Sequence, residues 1–162
     1  MTENLNAIKS VLTPASVIRD RCQQSREQIT QDACKKVKTF VNSKFEPTLK
    51  YIDNMVRASS DLSPNDDYIL LMHDAVFKSW NVDSSQLPAL ITACNEAKGS
   101  DGYCAKLTDT VTPDNFPVKI VNILLDQLRP VLEAQGYRLQ LCMRYGGSRE
   151  HDCFDIIWGK DD

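Results

Sequence analysis

The chain has 162 residues, with 19 Lys/Arg against 22 Asp/Glu and a formal net charge of -3. A hydrophobic fraction of 42% and a charged fraction of 25% describe a globular chain, and 7 Pro with 6 Gly exclude collagen and linker classes. A domain of this length buries roughly 70% of its unfolded surface, so its core needs no metal or disulfide staple. No run approaches ~18 uninterrupted apolar residues, so no spanning helix is expected. The start, MTENLNAIKSVLTP, lacks a basic region followed by a long apolar one, so the chain reads as cytoplasmic and not secreted.

Leu5, Ile8 and Leu12 predict a short first helix that Pro14 ends or restarts. Ile18, Cys22, Ile29, Ala33, Val37, Val41 and Phe45 then recur at helical steps, predicting a helix over 15–45. At ~1.5 Å per residue it spans roughly 45 Å, more than a small core covers. Part of it is therefore expected to be exposed, kinked or packed on a partner. Pro47 interrupts the pattern, and Leu49, Ile52, Met55 and Val56 resume it to about residue 58. Ser63, Pro64 and Asp66 read as the start of a further helix, with Tyr68, Leu71, Met72, Ala75, Val76 and Trp80 on its buried face. Ser84 or Ser85 is expected to cap the next helix, bearing Leu87, Leu90, Ile91 and Cys94 and closed by Gly99.

Residues 100–115 read as loop. Val118, Val121, Leu124, Leu125, Leu128 and Leu132 predict a helix over 117–135, kinked at Pro130. The period then drops to two. Residues 137–145 alternate as a half-buried strand, Gly146-Gly147-Ser148 turns, and Phe154, Ile156 and Trp158 mark a second strand. The register that aligns both apolar faces pairs Met143 with Phe154 and Leu141 with Ile156. It sets Cys142 against Asp155 and Cys153 against Arg144, so the two thiols are diagonal neighbours. The expected fold is α+β, mainly helical, with about five helices and a C-terminal antiparallel hairpin packed on the helix before it. Residues 1–60 read as a basic helical arm and 61–162 as the core, or the whole as one domain.

Little catalytic chemistry is visible. The six cysteines (22, 34, 94, 104, 142, 153) read as reduced core thiols, with Cys94 and Cys104 the sequence-local candidates for a bridge. No C-x-x-C occurs and there are only two histidines, so no metal site and no cofactor is expected. His73-Asp74 lies on a predicted helix, where neighbours point apart. His151-Asp152-Cys153 is the better thiol candidate, with Arg144 opposite, and would make a thiol-dependent enzyme or redox switch at Cys153. Gly146-Gly147-Ser148-Arg149 joins two strands and lacks the Lys and following helix of a phosphate loop.

Binding surfaces are easier to place. The helix face Ile29, Val37, Val41 and Phe45 is one. The outward side and unpaired edges of the hairpin, with Arg138, Gln140, Arg144, Asp155 and Ile157, are another. Residues 1–60 carry ten Lys/Arg against six Asp/Glu, and the remainder nine against sixteen. Lys35, Lys36, Lys38, Lys44 and Lys50 could thus contact nucleic acid, or be a solvated helix face.

The tail LRPVLEAQGYRLQLCMRYGGSREHDCFDIIWGK has a helix ending at Gly136-Tyr137, an alternating strand, a polar turn and a closing Phe154-Asp155-Ile156-Ile157-Trp158. Over residues 128–160 it is similar to the C-terminal ends of small proteins of large double-stranded DNA viruses, several of which are virion or assembly components without enzymatic activity. The resemblance implies a non-enzymatic structural or interaction protein, with virion association as the alternative to a cytoplasmic place, and assigns no functional residues. The long helix and the hairpin edge lead to the expectation of a protein partner or a second copy of the chain.

Overall fold

The computed structural model describes residues 11–100, 102–142 and 151–159. The expected first helix, the 146–148 turn, Met143 and Arg144 lie wholly or mainly outside them. The fold is α+β and mainly helical. Helix α1 spans Ala15–Ser43, α2 Phe45–Leu62, α3 His73–Ser79, α4 Leu87–Glu96 and α5 Phe116–Ala134; the strands are β1 Tyr68–Met72, β2 Arg138–Cys142 and β3 Cys153–Ile157. Short 3-10 turns occupy Ser84–Gln86 and Gly102–Lys106.

Pro14 sets up α1, its carbonyl accepting from the Val17 and Ile18 amides at 3.0 and 3.2 Å. Lys44 alone breaks the run between α1 and α2, and Pro47 falls in the first turn of α2, where its missing N–H costs nothing. The Schellman geometry at the end of α5 is complete. Gly136, at φ +88°, donates to Glu133, and Tyr137 donates to Leu132 at 3.0 Å. The helix continues through Pro130. The cap before α4 is Asp83, whose Oδ1 accepts from the Ser85 amide at 3.0 Å, a residue earlier than expected.

Helix α5 is the hub. Phe116, Ile120, Val121, Leu124, Leu125, Leu128 and Leu132 are all buried. Its first turn joins an aromatic cluster in which Phe77 stands edge-on to both Phe116 (5.7 Å) and Trp80 (5.5 Å), and Phe40 of α1 stands edge-on to Trp80 (6.0 Å). Asn95 staples the 107–115 segment to α4, exchanging two hydrogen bonds with the Val111 backbone (2.9 and 2.8 Å). Ala33, Val37, Val41, Ile52 and Val56 share one core with the residues beyond 60. The segment that stands clear of it is therefore only the first half of α1.

Trp80 Nε1 donates to Thr48 Oγ1 at 2.8 Å, and both residues are buried. Thr48→Val keeps the shape and removes the acceptor, leaving an indole N–H unpaired in the core. It is expected to cost about 1–2 kcal/mol in chemical denaturation. Thr48→Ser, which keeps the oxygen, should recover most of that loss.

The helix expected from Ser63 to Trp80 is only half present: its second half is α3, and its first half is a strand. Ser63 ends α2, its amide donating to Ser59 O at 2.8 Å, and 68–72 form a strand. Tyr68-Ile69-Leu70-Leu71-Met72 is an unbroken apolar run, which suits a strand as well as a helix. Pairing with β3 decides between them. The sheet order is β1-β3-β2, antiparallel throughout, so the C-terminal strand is central and the expected hairpin is part of a three-stranded sheet. The strand register is also two residues from expectation: Leu141 faces Phe154, Leu139 faces Ile156 and Cys142 faces Cys153.

Candidate interaction surfaces

From residue 15 to residue 29 every position of α1 is exposed, and Ala33 is the first buried one. This stretch projects about 22 Å at ~1.5 Å per residue. Ile18 is 44% exposed and Ile29 51%. Ile18, Cys22, Ser25 and Ile29 follow one another at steps of four, three and four, so they form one row. Arg19, Arg21 and Arg26 flank the row, while Asp20 and Glu27 fall on the opposite side. Exposed i,i+4 bonds, Gln23 to Glu27 (3.1 Å) and Gln28 to Asp32 (2.9 Å), support the helix.

Of the proposed helix face, only Ile29 is open. Val37 and Val41 are 1% exposed, and Phe45 is half-buried. The second half of α1 packs on α4, α5 and the Gly102–Lys106 turn, so Val37 and Val41 are core residues and not contact residues.

The hairpin residues are rearranged too. Asp155 and Ile157 lie on the central strand, paired on both sides, and are not at an edge. They do share a face with Arg138 and Gln140, because directly opposed residues in an antiparallel sheet project to the same side. Three rows cross that outer face: Tyr68–Ile157–Arg138, Leu70–Asp155–Gln140 and Met72–Cys153–Cys142. Tyr68 (53% exposed) and Leu70 (51%) give its β1 side an exposed apolar strip. Both were hidden from the sequence reading by the helix expected at 64–80. Burial pushes the Asp155 carboxyl above its ordinary range.

The five lysines do not form one cluster, although Lys35, Lys36 and Lys44 all lie beside Phe40. Lys38 lies over the Tyr103 ring (5.8 Å), Lys44 over Phe40 (5.4 Å), and Lys50 pairs with Glu46 at 2.9 Å. Lys35 and Lys36 line a groove with Phe40, Ala89 and Leu90, whereas Lys38 lines a different one with Cys34 and Tyr103.

The sequence 151–153 is tied down through its backbone. Asn122 Nδ2 donates to His151 O (3.1 Å) and the His73 amide to Asp152 O (3.1 Å). Burial, then the hydrogen bond and charge of Cys142, push the Cys153 thiol up to about 12. A thiol held that high is a poor nucleophile at neutral pH. Burial, then Cys34, likewise push Cys104 up to about 12, and burial takes Cys94 to about 11. Cys104 is thus hydrogen-bonded to Cys34 of α1, with Ser100 acting in the opposite sense, while Cys94 acts on it only through charge. Among the described residues, no group of His, Cys, Asp or Glu could hold a metal, and no helix is long and apolar enough to cross a membrane.

No protein-family model, curated protein or solved structure matches the chain.

Proposed function

We propose that this chain is a non-enzymatic interaction protein, a structural or assembly component of the kind its C-terminal resemblance suggests, and that it engages a protein partner through the exposed half of α1. The observation that carries the reading is the uncovered row Ile18, Cys22 and Ile29 on a helix whose other half is built into the core. A helical stretch of this length is marginal in water without tertiary cover. A partner that covers the row supplies that cover.

The flanks select the partner's chemistry. In a parallel self-pair Arg21 would face Arg26, and in an antiparallel one Arg19 and Arg26 would meet their like. A second copy is therefore disfavoured, and a helix with acidic flanks fits. The outer face of the sheet, with Tyr68, Leu70 and Ile157, is a second apolar surface on the same chain.

The test uses two synthetic amphipathic helices with the same leucine row, one flanked by Glu and one by Lys. Fluorescence anisotropy should show the Glu peptide binding about tenfold tighter, the sum of several pairs worth a few tenths of a kcal/mol each. Ile18→Asn with Ile29→Asn should abolish that binding and leave the melting temperature unchanged. Equal binding of the two peptides, no binding of either, or a dimer in sedimentation equilibrium would overturn the reading.

A further inference from the structure

Cys142 ends β2, Cys153 begins β3, and the two are direct cross-strand partners with Sγ atoms 2.9 Å apart. Directly opposed residues of antiparallel strands have Cα atoms about 4.5 or 5.5 Å apart, and either spacing lies inside the 4.4–6.8 Å range of disulfides. No backbone movement is needed to join them. Of the six cysteines, these two alone face each other across a strand ladder.

We infer that Cys142 and Cys153 form a dithiol site that is converted to an intramolecular disulfide by exchange with a small-molecule or protein disulfide. Cys142 is half-buried and Cys153 buried, which sets the order of events. The Cys142 thiolate attacks one sulfur of the oxidant, whose other sulfur leaves as a thiolate and takes up a proton. A mixed disulfide at Cys142 results. Cys153 then gives up its proton to solvent and attacks the Cys142 sulfur, expelling the second half of the oxidant as a thiol. The chain loses two thiol hydrogens, and the oxidant gains two electrons and two protons. The high proton affinity of Cys153 slows its attack, and its fixed position against Cys142 offsets that. The new bond pins edge strand β2 to central strand β3 and closes residues 143–152 into a covalent ring. It leaves the outward row beside Met72 without free thiols.

The full-length chain is equilibrated with glutathione and glutathione disulfide at a series of ratios, acid-quenched and mapped by peptide mass. The wild type should yield a Cys142–Cys153 linked peptide, with both thiols lost together and a raised melting temperature. Cys153→Ser should accumulate glutathione on Cys142, because the resolving sulfur is gone. Cys142→Ser should leave Cys153 unmodified over the same exposure. The inference is overturned if the wild type stops at glutathionylated Cys142, or if both thiols survive the most oxidising buffer. Glutathionylation of Cys153 in Cys142→Ser at the wild-type rate would refute the assigned order. The wild-type map decides the matter even if a variant fails to fold.

Discussion

Replacing Phe154 with alanine is expected to lower the unfolding free energy by about 3–5 kcal/mol, read from urea denaturation. Phe154 is fully buried at the middle of the sheet, with Leu71 of β1 on one side and Leu141 of β2 on the other. Its ring stands edge-on to that of His73 at 5.5 Å. Truncation leaves a void between the two strand pairings and the His73 ring of α3, and a close-packed interior collapses only partly to fill it. Ile29→Ala is the control. Ile29 is half-exposed on the free part of α1, so the same kind of truncation should stay within about 0.5 kcal/mol. A cost below about 1 kcal/mol for Phe154→Ala would show that Phe154 is not in a close-packed core.

The second large effect centres on His73 and Asn122. His73 is fully buried, and its Nε2 lies 2.7 Å from Asn122 Oδ1, which can only accept. Nε2 therefore carries the proton, and Nδ1 is left buried with no hydrogen-bond partner. Asn122→Ala removes this bond together with the one to His151 O, and is expected to cost about 2–3 kcal/mol at neutral pH. Burial holds the His73 pKa below the ordinary value near 6.5, against weaker opposing contributions from Asn122, Asp152 and Asp74. The sign follows directly. Below pH 6.5 the unfolded chain takes up a proton that the folded chain resists, so stability is full above that pH and falls as pH drops through the folded value. Asp155 acts in the opposite sense, since its carboxyl is raised, but only at the lower pH where carboxylates titrate. Denaturation curves from neutral pH down to about pH 5 should show the loss, and His73→Gln should flatten it. A wild-type curve already flat across that window would refute the account.

The helices that carry their own signals were legible. The row from Ala33 to Val41 and the α5 stripe needed only 3.6-residue periodicity, and Gly136 announced the end of α5. What depended on partners far away in sequence was not legible. The run 68–72 is apolar throughout, and only β3, more than 80 residues later, makes it a strand. The β2–β3 register failed for a related reason. A slip of two residues keeps Leu139 and Leu141 on the same face, so hydrophobic alternation is blind to it. The apposition of Cys142 and Cys153 follows from that register alone, and so was missed. The candidate surface on α1 was half legible. Periodicity shows a row from Ile18 to Val41, but which half the body covers depends on where α4 and α5 lie.

The central position of β3 also sets an order on folding during synthesis. Neither β1 nor β2 hydrogen-bonds the other, and the strand that joins them is the last of the described elements to be made. While the chain emerges from the ribosome, α1 through α5 can assemble, but Tyr68–Met72 and Arg138–Cys142 each wait with an open ladder. The nascent chain therefore exposes two unpaired strand edges until Cys153–Ile157 leaves the exit tunnel. Any strand-shaped intruder, or a helper that shields such edges, has that interval in which to act.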